Sequence, residues 1–294
     1  MRERHIVSNC PDSTRLEAYC VGLITGISSR KGIKKAIKRG EVLLNGEANC
    51  GSKFICNGDE IVWVEHETSR PFKIFPLKLH VILEDDHIAV IQKPAGYPVS
   101  GNYYKTIEHA LPFNLSPSSQ HDALGYPLPC HRLDAATSGC VLVAKTHSAR
   151  VHIGRQFEQG QITKIYHALV VGEGIVNQVI NHPIEGKESL SELELICSVP
   201  SLSNKCVSLV KLIPHTGRTH QLRIHCAEIG FPILGDPLYG EPLALLKGKG
   251  LFLASTSIGF VHPHSSVYQL ATLEIPLKFQ SFLDREARRY YANH

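Results

Sequence analysis

No stretch of this sequence is apolar for long enough to span a membrane, and its opening residues, Met1-Arg2-Glu3-Arg4-His5, lead into nothing of signal-peptide type. A membrane partner is therefore not expected, and a reducing, cytoplasmic setting is. The nine cysteines contain no Cys-x-x-Cys pair and are odd in number, which argues against a disulfide framework and against a zinc site. Internal repeats and low-complexity tracts are missing as well. Neither sign of charge dominates. The 31 Lys and Arg against 27 Asp and Glu leave a formal charge of +4, too little to demand a nucleic-acid partner by itself.

What is present is an ordinary globular composition, 43% hydrophobic and 20% charged over 294 residues, enough for one sizeable core with a small module beside it. The charges are unevenly placed. Six Lys or Arg and no acid fall between Ser29 and Arg39, a local excess suited to holding phosphates or to a solvated face. There Ile33, Ala36 and Ile37 recur at helical spacing while Lys34, Lys35, Lys38 and Arg39 fill the opposite side, predicting a short basic amphipathic helix. An earlier helix is predicted over 15–24 from Leu16, Cys20 and Leu23, with Gly26 as its stop. Glu41 to Leu44 reads as a strand turning at Asn45-Gly46, and Gly58-Asp59 leads into another. These signals define a small α/β module over 13–66. Residues 67–79, with Pro71 and Pro76, read as a linker.

The larger domain is expected over 80–294. Apolar patterning predicts a hairpin over 81–91, strands at 139–144, 162–171, 206–213 and 251–258, and helices at 148–159 and 219–229. This is an α+β pattern with a mixed, mostly antiparallel sheet.

Three of its segments carry chemistry. His131-Arg132-Leu133-Asp134-Ala135-Ala136-Thr137-Ser138-Gly139 places a carboxylate in a polar loop before an apolar strand, where a scaffold presents a reactive group or where an Asp caps a turn. In Thr216-Gly217-Arg218-Thr219-His220-Gln221-Leu222-Arg223-Ile224-His225, Thr219 is a natural N-cap, and His220 and Arg223 lie three apart on neighbouring helical positions. His215, His220 and His225 are five apart and cannot share a helical face, so no metal is expected. Lys164 and Tyr166, two apart in a strand, point the same way; alone, Tyr166 reads equally as core filler.

Taken together, HRLDAATSG, Lys164-x-Tyr166 after Phe157, TGRTHQLRIH with GFPILGDPLYG at 230–240, and the late FLASTSIGFVHP resemble the RluA-type family of RNA pseudouridine synthases in order and interval. The likeness covers roughly 80–282. The N-terminal elements are similar in order to the S-four-like RNA-binding module, which some members acting on large-subunit ribosomal RNA carry.

The resemblance implies the pseudouridine synthase fold and an isomerase that needs no cofactor. It makes Asp134 the catalytic aspartate, Tyr166 the active-site tyrosine and Arg223 the basic partner of the carboxylate. Arg132 would help displace the target base, Lys164, Arg218 and His220 would contact substrate, and Lys34, Lys35, Lys38 and Arg39 would hold flanking phosphates. RNA is the implied partner of a monomeric enzyme. Large-subunit ribosomal RNA is favoured by the N-terminal module; transfer RNA, or a non-catalytic RNA-binding or ribosome-assembly role, are the alternatives. Between Val171 and Cys206 the chain departs from the family's usual stretch, which carries a further strand pair, and 186–190 is expected to stand for part of it. The His- and Ser-rich run 262–266 receives no function.

Overall fold

The computed structural model describes residues 2–24, 27, 29–48, 53–64, 73–240 and 248–293, and the chain divides into two compact units, Met1–Phe72 and Lys73–His294. The first runs β1 (Arg2–Ile6), α1 (Leu16–Tyr19), α2 (Arg30–Lys38), β2 (Val42–Leu44) and β3 (Glu60–Val64). Its strands are antiparallel in the order β1-β3-β2. Because β1 pairs with β3 along its length, this unit begins before residue 13, where the sequence pattern starts it.

Helix α2 forms as its spacing predicts: Ile33, Ala36 and Ile37 are buried, and the Ser29 side chain accepts from the Gly32 N–H at its start. Helix α1 is shorter than predicted. It stops after one turn, Gly22 takes a positive φ of 81°, and Ile24, instead of Leu23, enters the core. The expected stop at Gly26 lies outside the described residues. Asn45 and Gly46 both take positive φ, 50° and 82°, the tight turn that this dipeptide favours.

The second unit contains β4 (His80–Glu84), β5 (Ile88–Lys93), α3 (Ile107–Asn114), β6 (Ala123–Pro129), β7 (Ser138–Thr146), α4 (His147–Glu158), β8 (Thr163–Val171), β9 (Gln178–Ile180), β10 (Ser191–Ser201), β11 (Lys205–Pro214), α5 (Gln221–Glu228), β12 (Leu253–Val261), β13 (Tyr268–Thr272) and α6 (Leu277–Tyr291). Among the described residues the strands make one sheet in the order β4-β5-β7-β12-β8-β11-β10-β9, with β6 added to β7 and β13 to β12. Every pairing is antiparallel except β7 with β12, which meet in parallel at Ser138–Ala254 and Gly139–Ser255.

Strand β7 is apolar from Cys140 to Ala144 because both its faces are covered there. Cys140, Leu142 and Ala144 pack with Ala149 and Ile153 of α4, while Val141 and Val143 pack with Ile107 and Leu111 of α3. Strand β8 repeats the scheme. Ala168 and Val170 face Leu222 and Cys226 of α5, and Leu169 and Val171 face Phe279, Phe282 and Leu283 of α6. The sheet is thus a two-sided core, and α5 lies on the same side as the face of β8 that carries Tyr166.

Two expectations change. Residues 67–72 of the expected linker lie outside the described residues, but 73–79 are fixed to the second unit: Leu77 and Leu79 pack on its core, and Asn114 bonds both their backbones at 2.8 Å. The 172–205 stretch does carry a strand pair, β9 with β10, and β10 runs alongside β11 for ten paired positions. Among the described residues no helix is long and apolar enough to cross a membrane.

Candidate active site

The loop between β6 and β7 is shaped by its backbone and by one distant lysine. The Thr137 N–H donates to the Asp134 carbonyl at 3.1 Å, and the Gly96 N–H donates to the Ala135 carbonyl at 2.7 Å. The fully buried Lys93 ammonium donates to the carbonyls of Pro94, Ala135 and Thr137 at 3.0, 3.0 and 2.7 Å. Three donors meet three acceptors, so nothing in the turn needs the Asp134 side chain. His131 is tied down too: its Nε2 accepts from the Leu142 N–H at 3.0 Å, and burial, helped by the Lys164 charge, pushes it down to about 4. Gly139 closes the motif for a steric reason. At its φ of 124° a Cβ would stand 2.0 Å from the Ser255 carbonyl oxygen.

The Asp134 carboxylate is therefore free to face side chains. Its Oδ2 receives Arg223 Nη1 at 3.3 Å, and its Oδ1 lies 3.7 Å from His220 Nε2. The convergence of these two groups does not come from helical spacing. Helix α5 starts later than the Thr219 cap predicts: His220 is its N-cap, in a left-handed conformation with φ 56° and no side-chain cap bond. Gln221 holds that turn, its Oε1 accepting from the Arg218 N–H and the Thr216 hydroxyl while its Nε2 donates to the Leu190 carbonyl and the Ser191 hydroxyl.

Arg223 is held from behind. Asp236 accepts from its Nε and Nη2 at 2.7 Å each, in a pair almost wholly withdrawn from water. Burial alone would lower the guanidinium's affinity for its proton, but the bonds to Asp236 and then to Asp134 outweigh it and raise the value. Tyr239 completes the support. Its ring lies 5.2 Å from the guanidinium carbon, and its hydroxyl is 2.9 Å from His220 Nδ1. When that hydroxyl donates to Nδ1, the imidazole proton sits on Nε2 and faces Asp134.

Tyr166 reaches the site from β8. Burial pushes its phenol up to about 12, a Ser255 hydrogen bond opposing and the Asp134 charge adding. It stays protonated at any ordinary pH, a state in which a phenol can donate a proton but cannot act as a base. Asp134, Tyr166, Arg223, Arg132, Lys164, Arg218 and His220 all line one cavity of about 370 Å³. Arg132 is exposed, and Lys164 bonds the Thr216 carbonyl at 3.3 Å. Among the described residues no cluster of three or more His, Cys, Asp or Glu gathers in metal-binding geometry.

The basic helix of the first unit is less uniform than its sequence. Lys35 and Lys38 are exposed, Lys34 lies 3.7 Å from the buried Glu17 carboxylate, and Arg39 is bound at two points to the buried Glu41. Arg39 is thus exposed, as its spacing suggests, but unlike Lys35 and Lys38 it is bound to an acid of its own unit.

Sequence reasoning left Asp236 and Tyr239 without roles and placed Lys93 only within 81–101, a tract that resembles the strands supporting the family's site from below. Asp236 and Tyr239 sit in the quoted GFPILGDPLYG run, where an acid amid apolar residues was the available signal. Lys93 gave none, because its partners are 42 and 44 residues away.

Residues 87–228 match the sequence family described as RNA pseudouridylate synthase. An uncharacterized RNA pseudouridine synthase from Aquifex aeolicus is 32% identical over 281 residues, spanning 86% of this chain and 88% of that one. The chain belongs to the RluA-type family of RNA pseudouridine synthases. As such it is an isomerase that converts uridine to pseudouridine in RNA. This pseudouridine synthase is also similar to the Vibrio cholerae ribosomal large subunit pseudouridine synthase D, at 31% identity over 75% of this chain and 71% of that protein. It is 37% identical to the mitochondrial transfer RNA pseudouridine(32) synthase of Saccharomyces cerevisiae over 68% of this chain, which spans 45% of that relative. The human RNA pseudouridylate synthase domain containing 1 shares its fold, with a TM-score of 0.55 at 23% identity, over 70% of this chain and 95% of that one.

Proposed function

We propose that this synthase acts on large-subunit ribosomal RNA, with Asp134 as its catalytic carboxylate, Tyr166 and Arg223 as its partners, and no cofactor. The observation that carries this reading is the Asp134 carboxylate, free of any turn-capping bond, facing a cavity with Arg223 and His220 on its oxygens and Tyr166 in the same wall.

The reaction detaches uracil N1 from the anomeric carbon, turns the ring and joins C5 to that carbon. C5 gives up a proton and N1 gains one, so the formula is unchanged. Asp134 stabilises the anomeric carbon, bonds to it, or opens a route through a glycal by way of the C2′ proton. Each role requires an ionised carboxylate, and the Arg223 guanidinium stands 3.3 Å from it. Tyr166 stacks on the uracil, and Arg132, two residues from the carboxylate, fills the gap left by the extruded nucleotide. In the first unit, the S-four-like order of elements supports phosphate contacts from Lys34, Lys35 and Lys38, which give affinity without sequence preference. Arg39 adds its charge to that face. The enzyme is read as a monomer of the cytoplasm.

Ribosomal RNA is supported by that module and by the Vibrio relative. Transfer RNA is the second reading, favoured by the yeast relative's higher identity. The test is to incubate the protein with unmodified ribosomal and transfer RNA transcripts, map pseudouridine, and repeat with Asp134→Asn. Product in ribosomal RNA that the variant fails to form is the expected result. Undiminished product with the variant refutes the role of Asp134, and product confined to transfer RNA refutes the choice of target.

A further inference from the structure

A second cavity, of about 450 Å³, adjoins the first. The two share Phe157, Lys164, Thr216, Gly217 and Arg218 in their walls, and the second continues past Gly160 and His215. The Asp134 cavity accounts for one nucleoside. The second cavity has no role in the chemistry.

Lys164 stands in the shared wall and is short of partners. Among the described residues its ammonium meets the Thr216 carbonyl, at 3.3 Å, and pairs with no carboxylate. Its neighbours are differently placed: His215 is taken by Glu192 at 2.7 Å, and Arg218 Nε by the Glu188 carbonyl at 3.0 Å. Glu158, the acid in the second cavity's wall, does not pair with Lys164. Burial of the ammonium lowers its pKa. A half-buried cation without a counterion costs free energy, and part of that cost is recovered when an anion arrives.

Position identifies the anion. Lys164 and Tyr166 lie on one face of β8 two residues apart, roughly 6.7 Å along the strand, the scale of the step from a sugar to a neighbouring phosphate. We infer that the second cavity is a subsite for the nucleotide bonded to the target uridine, and that Lys164 takes the phosphodiester joining the two. The inference rests on the reading of the Asp134 cavity as the uridine site. Arg218, in the same wall, flanks the bound nucleotide.

The test uses an RNA that the wild-type enzyme modifies, resynthesised with an uncharged methylphosphonate at the 5′ or the 3′ linkage of the target uridine. Neutralising one of these linkages should lower wild-type kcat/KM about tenfold, the scale of one charge-assisted bond. Lys164→Met should lose a similar factor on all-phosphate RNA, carried by KM. It should be indifferent to the methylphosphonate that hurts the wild type, and its dependence of log kcat/KM on log salt should flatten by about one unit. Wild-type indifference at both linkages overturns the subsite and needs no folded variant to be seen. A Lys164→Met enzyme that keeps the wild-type sensitivity overturns the role of the lysine. Absence of product from every all-phosphate RNA strikes the uridine-site reading itself, and the subsite falls with it.

Discussion

Asp236 grips the Arg223 guanidinium at two points, 2.7 Å each, leaving its third nitrogen to reach Asp134 at 3.3 Å. The longer contact is the one that faces the cavity. Arg223 is oriented by a carboxylate outside the cavity lining, so its pose does not depend on a ligand.

Asp236→Asn keeps the shape and removes the charge. Breaking one half of a buried ion pair should cost about 3–5 kcal/mol in chemical denaturation, and kcat should fall by at least about tenfold as Arg223 loses its pose. The pH dependence has a definite sign. Burial alone would raise the Asp236 carboxyl, but the Arg223 bonds and the N–H groups of Leu238 and Tyr239 hold it below its ordinary 3.8. A depressed value contributes stability that is present above pH 3.8 and lost as pH falls through the lower folded value. The wild type should lose stability in that acid window, and the variant should show a flatter limb. An unchanged acid limb would count against the buttress.

Lys93 should impose an alkaline limit on turnover. Burial pushes its ammonium down to about 8, with the Asp134 charge opposing. Above that pH the folded protein has shed a proton that the unfolded chain keeps up to about 10.5, so this group's contribution to stability rises with pH over that window. The loop meanwhile loses one of its three ammonium bonds. The expected profile is kcat falling with an apparent pKa near 8 while stability does not, and Lys93→Met should be slower at neutral pH and lack that limb. A variant retaining the limb would exclude Lys93 as its source.

Much of this architecture was legible because it depends on short-range pattern. Ile33, Ala36 and Ile37 specify the buried face of α2, and the alternation through Lys164, Tyr166 and Ala168 specifies which side of β8 meets the cavity. The misses share another cause. The His220 N-cap needs a left-handed turn that Gln221 stabilises through residues 190 and 191, so Thr219 looked like the better cap. Strand β10 was overlooked although Leu193 and Leu195 alternate, since its pairing with β11 is bulged after Leu195. The His-rich run 262–266 proves structural: His262 Nδ1 accepts from the N–H groups of His264 and Ser265, and its Nε2 bonds Asp85 at 2.7 Å.

Arg132 is exposed at the cavity wall, as a group that replaces an extruded base must be. Arg132→Ala should lower kcat/KM about a hundredfold on RNA whose target uridine is stacked in a helix, reflecting a few kcal/mol of unstacking. On a short single-stranded RNA the loss should be under about tenfold. Equal losses on both would remove base displacement as its role.

On α2 the charges should separate into two kinds. Lys35→Gln with Lys38→Gln should reduce the salt slope of RNA binding by about two units, measured by titration at several salt concentrations. Arg39→Gln should instead destabilise the first unit by about 1–3 kcal/mol, because Glu41 is left buried without its partner. A salt slope more sensitive to residue 39 than to residues 35 and 38 would reverse this division.

Ser255 lies between Gly139 on one side and Tyr166 on the other, paired through main chain to both. The spacing between the carboxylate loop and the tyrosine strand is accordingly written into backbone ladders, and side chains around the cavity mouth such as Arg218 lie outside those ladders. Substitutions there can retune which RNA fits while the reacting groups hold their separation, so in this scaffold a change of target and the preservation of chemistry are mechanically independent.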